Sequence, residues 1–393
     1  MSKVLIIGNG FDIYHKLPTR YLDFLFFAQN WEKFKEAYDK AEPDGRDEKG
    51  ALIEVPLGPK NELTIESLYE FGKYRGRFPC DHIDYLNENI QTNAWYAFFT
   101  RIKPVGAKWI DFETEIYKAL KQVEEYYDLL PTLCNGRTVP NLVMPEYMRI
   151  VIYVFSKKTE ELGNGYQNLA KGVLTKDAVE PEKLRNNKQA LLSQMKADLN
   201  VFNRCLNYYI ADFVCLMKSR VYSEQIKALS DVLLLNFNYT YTYSMVYGKT
   251  RMKTHHPVHG EAKEENLVLG ISDDSFPDTL DYVYFQKYFQ RIQKRTGSFY
   301  RDWIDYPDGP IEVFIMGHSL SKVDKGILQG FFENDNIEKV TIYYHSQQSY
   351  EDMVINLVDM FDKDFVIEKT GSGFIKFEQL EPEVYGNAHT SSD

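Results

Sequence analysis

The chain opens with Lys3-Val4-Leu5-Ile6-Ile7 and then changes character at Gly8-Asn9-Gly10-Phe11-Asp12. A short apolar run rich in β-branched residues, closed by glycines, predicts a buried strand that feeds a tight turn into a helix. Lacking a Cβ, glycine admits positive φ and lets backbone N–H groups approach an anionic ligand at the start of the following helix. An ordinary strand-to-helix turn needs the same residues. At this point Gly8-x-Gly10 leaves both readings open.

Later runs give the turn its context. Asp231-Val232-Leu233-Leu234-Leu235 leads into Asn236-Phe237-Asn238-Tyr239-Thr240, and Leu267-Val268-Leu269-Gly270-Ile271 lies between His259-Gly260 and Asp273-Asp274. Glu312-Val313-Phe314-Ile315-Met316 precedes Gly317-His318-Ser319-Leu320, and Lys339-Val340-Thr341-Ile342-Tyr343-Tyr344 precedes His345-Ser346. Each run reads as a strand with a polar cluster at its edge. In open parallel sheets the ligand crevice lies beyond the carboxyl ends of the strands, so the pattern predicts an α/β, Rossmann-like, mostly parallel sheet with a site along that edge. Residues 364–380 read as a terminal hairpin turning at Gly371-Ser372-Gly373.

Between the first strand and residue 230 the periodicity is helical. Leu17-Pro18-Thr19 reads as a turn and cap before a stripe of Tyr21, Phe24, Leu25, Ala28, Trp31 and Phe34. Residues 42–61 read as a charged loop, 81–103 as helical, and Trp109-Ile110-Asp111-Phe112-Glu113 as the start of a helix ending near Leu129, before Pro131. Asp111 and Glu113 then fall in the first turn, where carboxylates complement the helix dipole. A further helix is expected over 146–161. From Glu182 to about Arg220, where Gly and Pro are absent, an apolar stripe predicts one helix of roughly 55 Å. That stripe suits packing inside its own domain better than a coiled coil between subunits, though a homo-oligomer stays open. The expected organisation is a nucleotide-binding domain from 1–30 and 230–393, with a mainly helical insertion at 31–229.

Composition narrows the function classes. With Lys+Arg 46 against Asp+Glu 57, the net charge of −11 disfavours broad binding to nucleic acid. Cys80, Cys134, Cys205 and Cys215 contain no C-x-x-C pair and fit no zinc spacing, so no metal is expected and a reducing cytoplasm is the simplest home. No stretch approaches the roughly 18 apolar residues of a membrane span, and a strand stands where a signal peptide would.

The ordered set Ile7-Gly8-Asn9-Gly10-Phe11-Asp12, Leu17-Pro18-Thr19, Trp109-x-Asp111-x-Glu113, Asn236-Phe237-Asn238-Tyr239-Thr240, His259-Gly260, Gly270 with Asp273, and Gly317-His318-Ser319-Leu320 with Asp324 resembles the AbiH family of phage abortive-infection proteins. That resemblance implies a bacterial anti-phage role and a phage-derived trigger. More distantly, the order Gly-x-Gly, Asn-x-Asn, His-Gly and Gly-x-Ser-Leu resembles sirtuins and sirtuin-like NAD-hydrolysing defence effectors. By this second likeness the ligand is NAD or a related nucleotide. Gly8, Asn9, Gly10, Phe11, Asp12, Gly317, His318, Ser319 and Asp324 would bind it. Asn236 would position ribose or the attacking water, His259 would act as base, and Asn238 stands where those families place an aspartate against the nicotinamide amide.

The residues themselves allow plainer roles. Asn236 and Asn238 also suit an Asx turn that stops a strand, His259-Gly260 also suits a loop turn, and Asp12 and Asp324 also suit capping or holding a loop. Three functions remain distinct on this basis: a protein that binds and hydrolyses an NAD-type nucleotide, a non-catalytic nucleotide-dependent sensor, and an RNA-directed nuclease toxin. The acidic balance and the absence of a metal-ligand cluster argue against the third.

Overall fold

The computed structural model describes residues 2–41, 63–103, 111–156, 169, 171–217, 219–248, 254–307 and 309–385. The loop expected over 42–61, Trp109 and Ile110 of the motif that opens the next helix, and the last eight residues lie outside them.

Six parallel strands form one sheet: β1 (Ser2–Ile7), β3 (Leu233–Asn236), β4 (His255–Pro257), β5 (Ile311–Met316), β6 (Ile337–Tyr344) and β7 (Ile375–Gln379). A separate short antiparallel pair joins β2 (Val221–Tyr222) to β8 (Val384–Tyr385). Across the main sheet the order is β4-β3-β1-β5-β6-β7. In chain order those strands are the third, second, first, fourth, fifth and sixth, which is the doubly wound dinucleotide-binding arrangement. The fold is therefore α/β and Rossmann-like.

The continuous apolar character of β1 follows from its central place. Val4 and Ile6 enter the core on one face of the sheet, with Leu328, Phe331 and Leu357, while Leu5 and Ile7 enter the core on the other, with Phe11 and Ile226. Side chains alternate between faces, so a strand buried on both must be apolar at every position.

The connection from β1 to β3 carries the helical insertion, including Tyr21–Gln29, Trp31–Lys40, Phe112–Cys134 and Pro181–Tyr208. Its core is aromatic: the Phe213 ring lies within 6.4 Å of the rings of Phe27, Phe34, Phe71 and Phe78. Trp95 is buried there with its indole N–H donated to the Met195 carbonyl at 2.8 Å. Large aromatic side chains bury much area with few residues, and the polar tips of Trp and Tyr find partners.

Several sequence expectations are corrected. The helix expected over 182–220 ends at Tyr208, giving 28 residues and roughly 42 Å. A π-helical turn, Tyr209–Phe213, and a 3-10 turn, Val214–Leu216, follow it. Tertiary contacts fix this change, because Phe213 plugs the aromatic cluster and the Tyr209 hydroxyl donates to the Pro18 carbonyl at 2.7 Å. The helix from Phe112 runs past Pro131 to Cys134 and closes at Asn135 in the left-handed region. Residues 267–271 are not a strand of the sheet: Leu267, Leu269 and Ile271 join the helical core, and only Ile271 makes an isolated bridge, to Gln286. The third strand is instead His255–Pro257, a three-residue edge strand with no apolar signature, which pairs with β3. The tail is not a hairpin. Lys363–Gly371 is a helix, and the chain turns through Gly373, φ +79°, into β7 parallel to β6.

Candidate functional site

A cavity of about 550 Å³ lies at the carboxyl edge of the sheet. Its wall takes residues from the turn after β1 (Gly8, Asn9, Gly10, Asp12), the loop after β3 (Phe237 to Thr240), His259 after β4, Gly317 to Ser319 after β5 and His345 after β6. The insertion closes the other side with Tyr21, Asp111, Glu113 and Ile210, the last from the π-helical turn.

The glycines owe their place to contact between two turns. Gly10 N–H donates to the Gly317 carbonyl at 2.7 Å. A Cβ on Gly8 would come within 2.7 Å of His318 Cα, and one on Gly10 within 2.8 Å of Gly317 Cα. Gly317 has φ +69°, and its Cβ would meet Phe11 N at 2.0 Å. Close backbone approach is thus required here by the fold itself, across the strands where the winding of the sheet reverses.

Beside this seam is a buried charged cluster. Asp324 Oδ1 receives Lys287 Nζ at 3.0 Å and His259 Nε2 at 3.1 Å, while its Oδ2 lies 3.4 Å from His318 Nε2. Because His318 Nδ1 accepts the Leu320 N–H at 2.9 Å, its proton belongs on Nε2, facing the carboxylate. Lys287, with 1% of its side chain exposed, also pairs with Glu113 Oε2 at 2.9 Å. One ammonium thus ties the insertion to the sheet.

Electrostatics divides the two carboxylates. Burial opposes the charge of Asp324, yet Lys287 and the histidine donors hold its carboxyl well below the ordinary range. Burial pushes Glu113 up to about 8, against the pull of Lys287 and with help from the charges of Asp111 and Asp324. Lys287 loses by burial but gains more from its two carboxylates, so its pKa is raised. His259 is driven down to about 4, by burial and then by Lys287, and is neutral at pH 7. Burial also raises Asp12 to about 6, against hydrogen bonds from Thr242, Thr240 and Asn238. Environments that push neighbouring acids apart equip a site for both proton donation and charge stabilisation.

Glu113 gives a pH prediction. A proton held more tightly in the folded state contributes stability that is fully present below the unfolded pKa of about 4.5 and lost as pH rises through about 8. Between pH 6.5 and 8.5, wild-type urea midpoints should fall more steeply than those of Glu113→Gln. The histidines lowered to about 4, such as His15 and His259, lose their contribution only as pH falls below 6.5, and so do not interfere. Equal slopes in the two proteins would show that Glu113 is ionised throughout.

Of the residues the sequence singled out, Gly8, Asn9, Gly10, Asp12, Asn238, His259, Gly317, His318, Ser319 and Asp324 share the cavity wall. Phe11 and Asn236 do not. Phe11 lies beneath the turn against His15, Tyr243 and Tyr247. Asn236 ends β3 with its amide occupied, Nδ2 donating to the Thr240 carbonyl at 2.8 Å and Oδ1 accepting the Asn238 N–H at 2.9 Å. Asp111 caps its helix, accepting from Glu113 N at 3.0 Å. Glu113, read as a dipole partner, instead reaches Lys287. Lys287 itself escaped notice, since a lysine opening an amphipathic helix carries no sign of burial.

The match to known families follows this geometry. The family model described as Bacteriophage abortive infection AbiH covers residues 4–346, from β1 through the turn after β6. The chain belongs to the AbiH family. The matched span includes every strand-end turn named above in the cavity wall. No curated protein and no solved structure matches the chain. Membership gives this AbiH chain a role in phage abortive infection. Among its described residues no helix is long and apolar enough to cross a membrane, and no group of three or more His, Cys, Asp or Glu side chains is placed to hold a metal ion.

Proposed function

We propose that this AbiH protein acts in abortive infection by binding an NAD-type nucleotide in the cavity at the carboxyl edge of its sheet. The observation that carries the reading is the strand order, with a cavity of about 550 Å³ over the reversal between β1 and β5. Ligands of doubly wound sheets bind at that reversal, and the volume lies within the usual range for small-molecule sites.

Charge in the wall supports one orientation. Asp12, Asp111 and Asp324 line the cavity with the ammonium of Lys287 and with Glu113, whose raised pKa leaves it largely protonated at pH 7; the surplus of carboxylates over the one ammonium favours the pyridinium end of NAD⁺ beside them and disfavours a diphosphate there. Ser319, exposed at the rim, and Ser349 in the first turn of the Gln347–Phe361 helix leave room for the diphosphate outside. The same acidic wall would favour an oxocarbenium-like state if the nicotinamide–ribose bond were cleaved.

A binding-only sensor is the second reading, favoured by Asn236. Both polar atoms of its amide are tied into the turn and its side chain does not line the cavity, so the residue that the sirtuin-like resemblance assigns to water or ribose stands off the site. Calorimetry with NAD, ADP and ATP, paired with chromatography for released nicotinamide, decides between them. NAD should bind, and at a hundredfold excess over its Kd should stabilise the protein by about 2.7 kcal/mol. Nicotinamide release selects the hydrolase, binding without release selects the sensor, and no binding by any nucleotide overturns the proposal.

A further inference from the structure

Glu113 is an acid in the cavity wall that nucleotide binding leaves without a task. Its helix, Phe112–Cys134, belongs to the insertion, where the sirtuin-like likeness assigns no residue. The side chain is held in place by its neighbours. Asp111 Oδ1 accepts the Glu113 N–H at 3.0 Å, and the adjoining Phe112, fully buried, stacks with the rings of Tyr21 and Phe99 at 4.2 Å each. Lys287 Nζ donates to Glu113 Oε2 at 2.9 Å, yet 15% of the Glu113 side chain stays exposed against 1% of the lysine. Burial outweighs the ammonium and keeps this carboxyl protonated at neutral pH, while Asp324 on the same ammonium stays ionised. Once the proton leaves, Lys287 stands beside Oε2 to stabilise the carboxylate. An acid so placed is suited to donate a proton and to recover it.

Nicotinamide leaves NAD⁺ as a neutral molecule and takes up no proton, so its release gives such a donor nothing to do. An alcohol oxygen or a nitrogen of a neutral base is different, because it leaves ribose readily only when protonated. We propose that Glu113 is the proton donor in hydrolysis of a ribosyl nucleotide whose leaving atom, an oxygen or a neutral-base nitrogen, departs only with a proton. Glu113 gives its proton to that atom as the bond to the anomeric carbon breaks, the electron pair going with the leaving group. Water then adds to the ribosyl cation and returns a proton to Glu113. One water is consumed, and the products are the protonated leaving group and a free ribose hydroxyl. The assignment rests on the nucleotide reading and specifies the substrate class of that cavity.

The test uses the full chain with NAD as a binding probe and three substrates: methyl ADP-riboside, which is O-linked, ADP, whose adenine is N-linked, and 4-nitrophenyl ADP-riboside, whose phenolate departs without a proton. The wild-type protein should hydrolyse the methyl riboside or ADP, and whichever is cleaved identifies the leaving atom. Glu113→Gln, close in shape, should slow that reaction by about 10²-fold or more, the usual scale for a lost acid–base group, and should cleave the nitrophenyl riboside within about tenfold of wild type. Equal losses on the activated and unactivated substrates would mean that Glu113 only holds the shape of the site, and the proposal is overturned. It is overturned as well if NAD binds while neither the methyl riboside nor ADP is hydrolysed, and nucleotide binding then stands. If NAD does not bind at all, both readings fall.

Discussion

Replacing Lys287 with methionine should lower the unfolding free energy by about 3–5 kcal/mol, the usual cost of removing one partner from a buried ion pair. The lysine side chain is 1% exposed and serves both Asp324, at 3.0 Å, and Glu113, at 2.9 Å. Methionine keeps most of the volume and removes the ammonium, so the loss reports charge rather than packing. Asp324 would then keep only its two histidine donors. Urea denaturation at pH 7 measures the effect, and the double variant Lys287→Met/Asp324→Asn should recover part of it, because groups in one network couple. A loss under about 1 kcal/mol, the range of exposed pairs, would mean that water reaches the cluster freely.

Gly317→Ala should be more damaging, with a loss above about 4 kcal/mol, a size reached only through a few mechanisms such as backbone strain and overpacking. Two such mechanisms coincide here. The residue sits at φ +69°, where a side chain is strained, and its Cβ would lie 2.0 Å from Phe11 N and 2.4 Å from Gly10 C. Those are backbone atoms of the β1 turn and cannot swing aside, so the two central turns must separate. Gly371→Ala is the matched control: it stands at a helix end with nothing within 4 Å of its would-be Cβ and should be neutral or slightly stabilising. Thermal unfolding followed by circular dichroism compares the two. Near-equal melting temperatures would show that the seam is loose. The expected result also bears on binding studies, since a variant at Gly8, Gly10 or Gly317 that fails to bind nucleotide has first lost the shape of the site.

Much of the sheet could be read locally. β1, β3, β5 and β6 announce themselves because strands buried on both faces must be apolar throughout, and glycines at 8, 10 and 317 mark where two strand-end turns meet backbone to backbone. The helical character of the insertion, and the gathering of polar clusters at strand ends, follow from periodicity in the same way. Other features leave no local trace. His255–Pro257 becomes a strand because β3 offers its edge, and β7 is parallel because the helix before it reverses the chain. The long helix breaks at Tyr209 because Phe213 has a place among the rings of Phe27, Phe34, Phe71 and Phe78. Most of the candidate site was legible as a set of turns, but not its electrostatics. Propensity and periodicity sum over neighbours in the chain, and these the sequence contains outright. The burial of Lys287 and the raised Glu113 depend on groups distant in sequence brought within a few ångströms, where desolvation and pairing, and therefore the tertiary structure, set the charge.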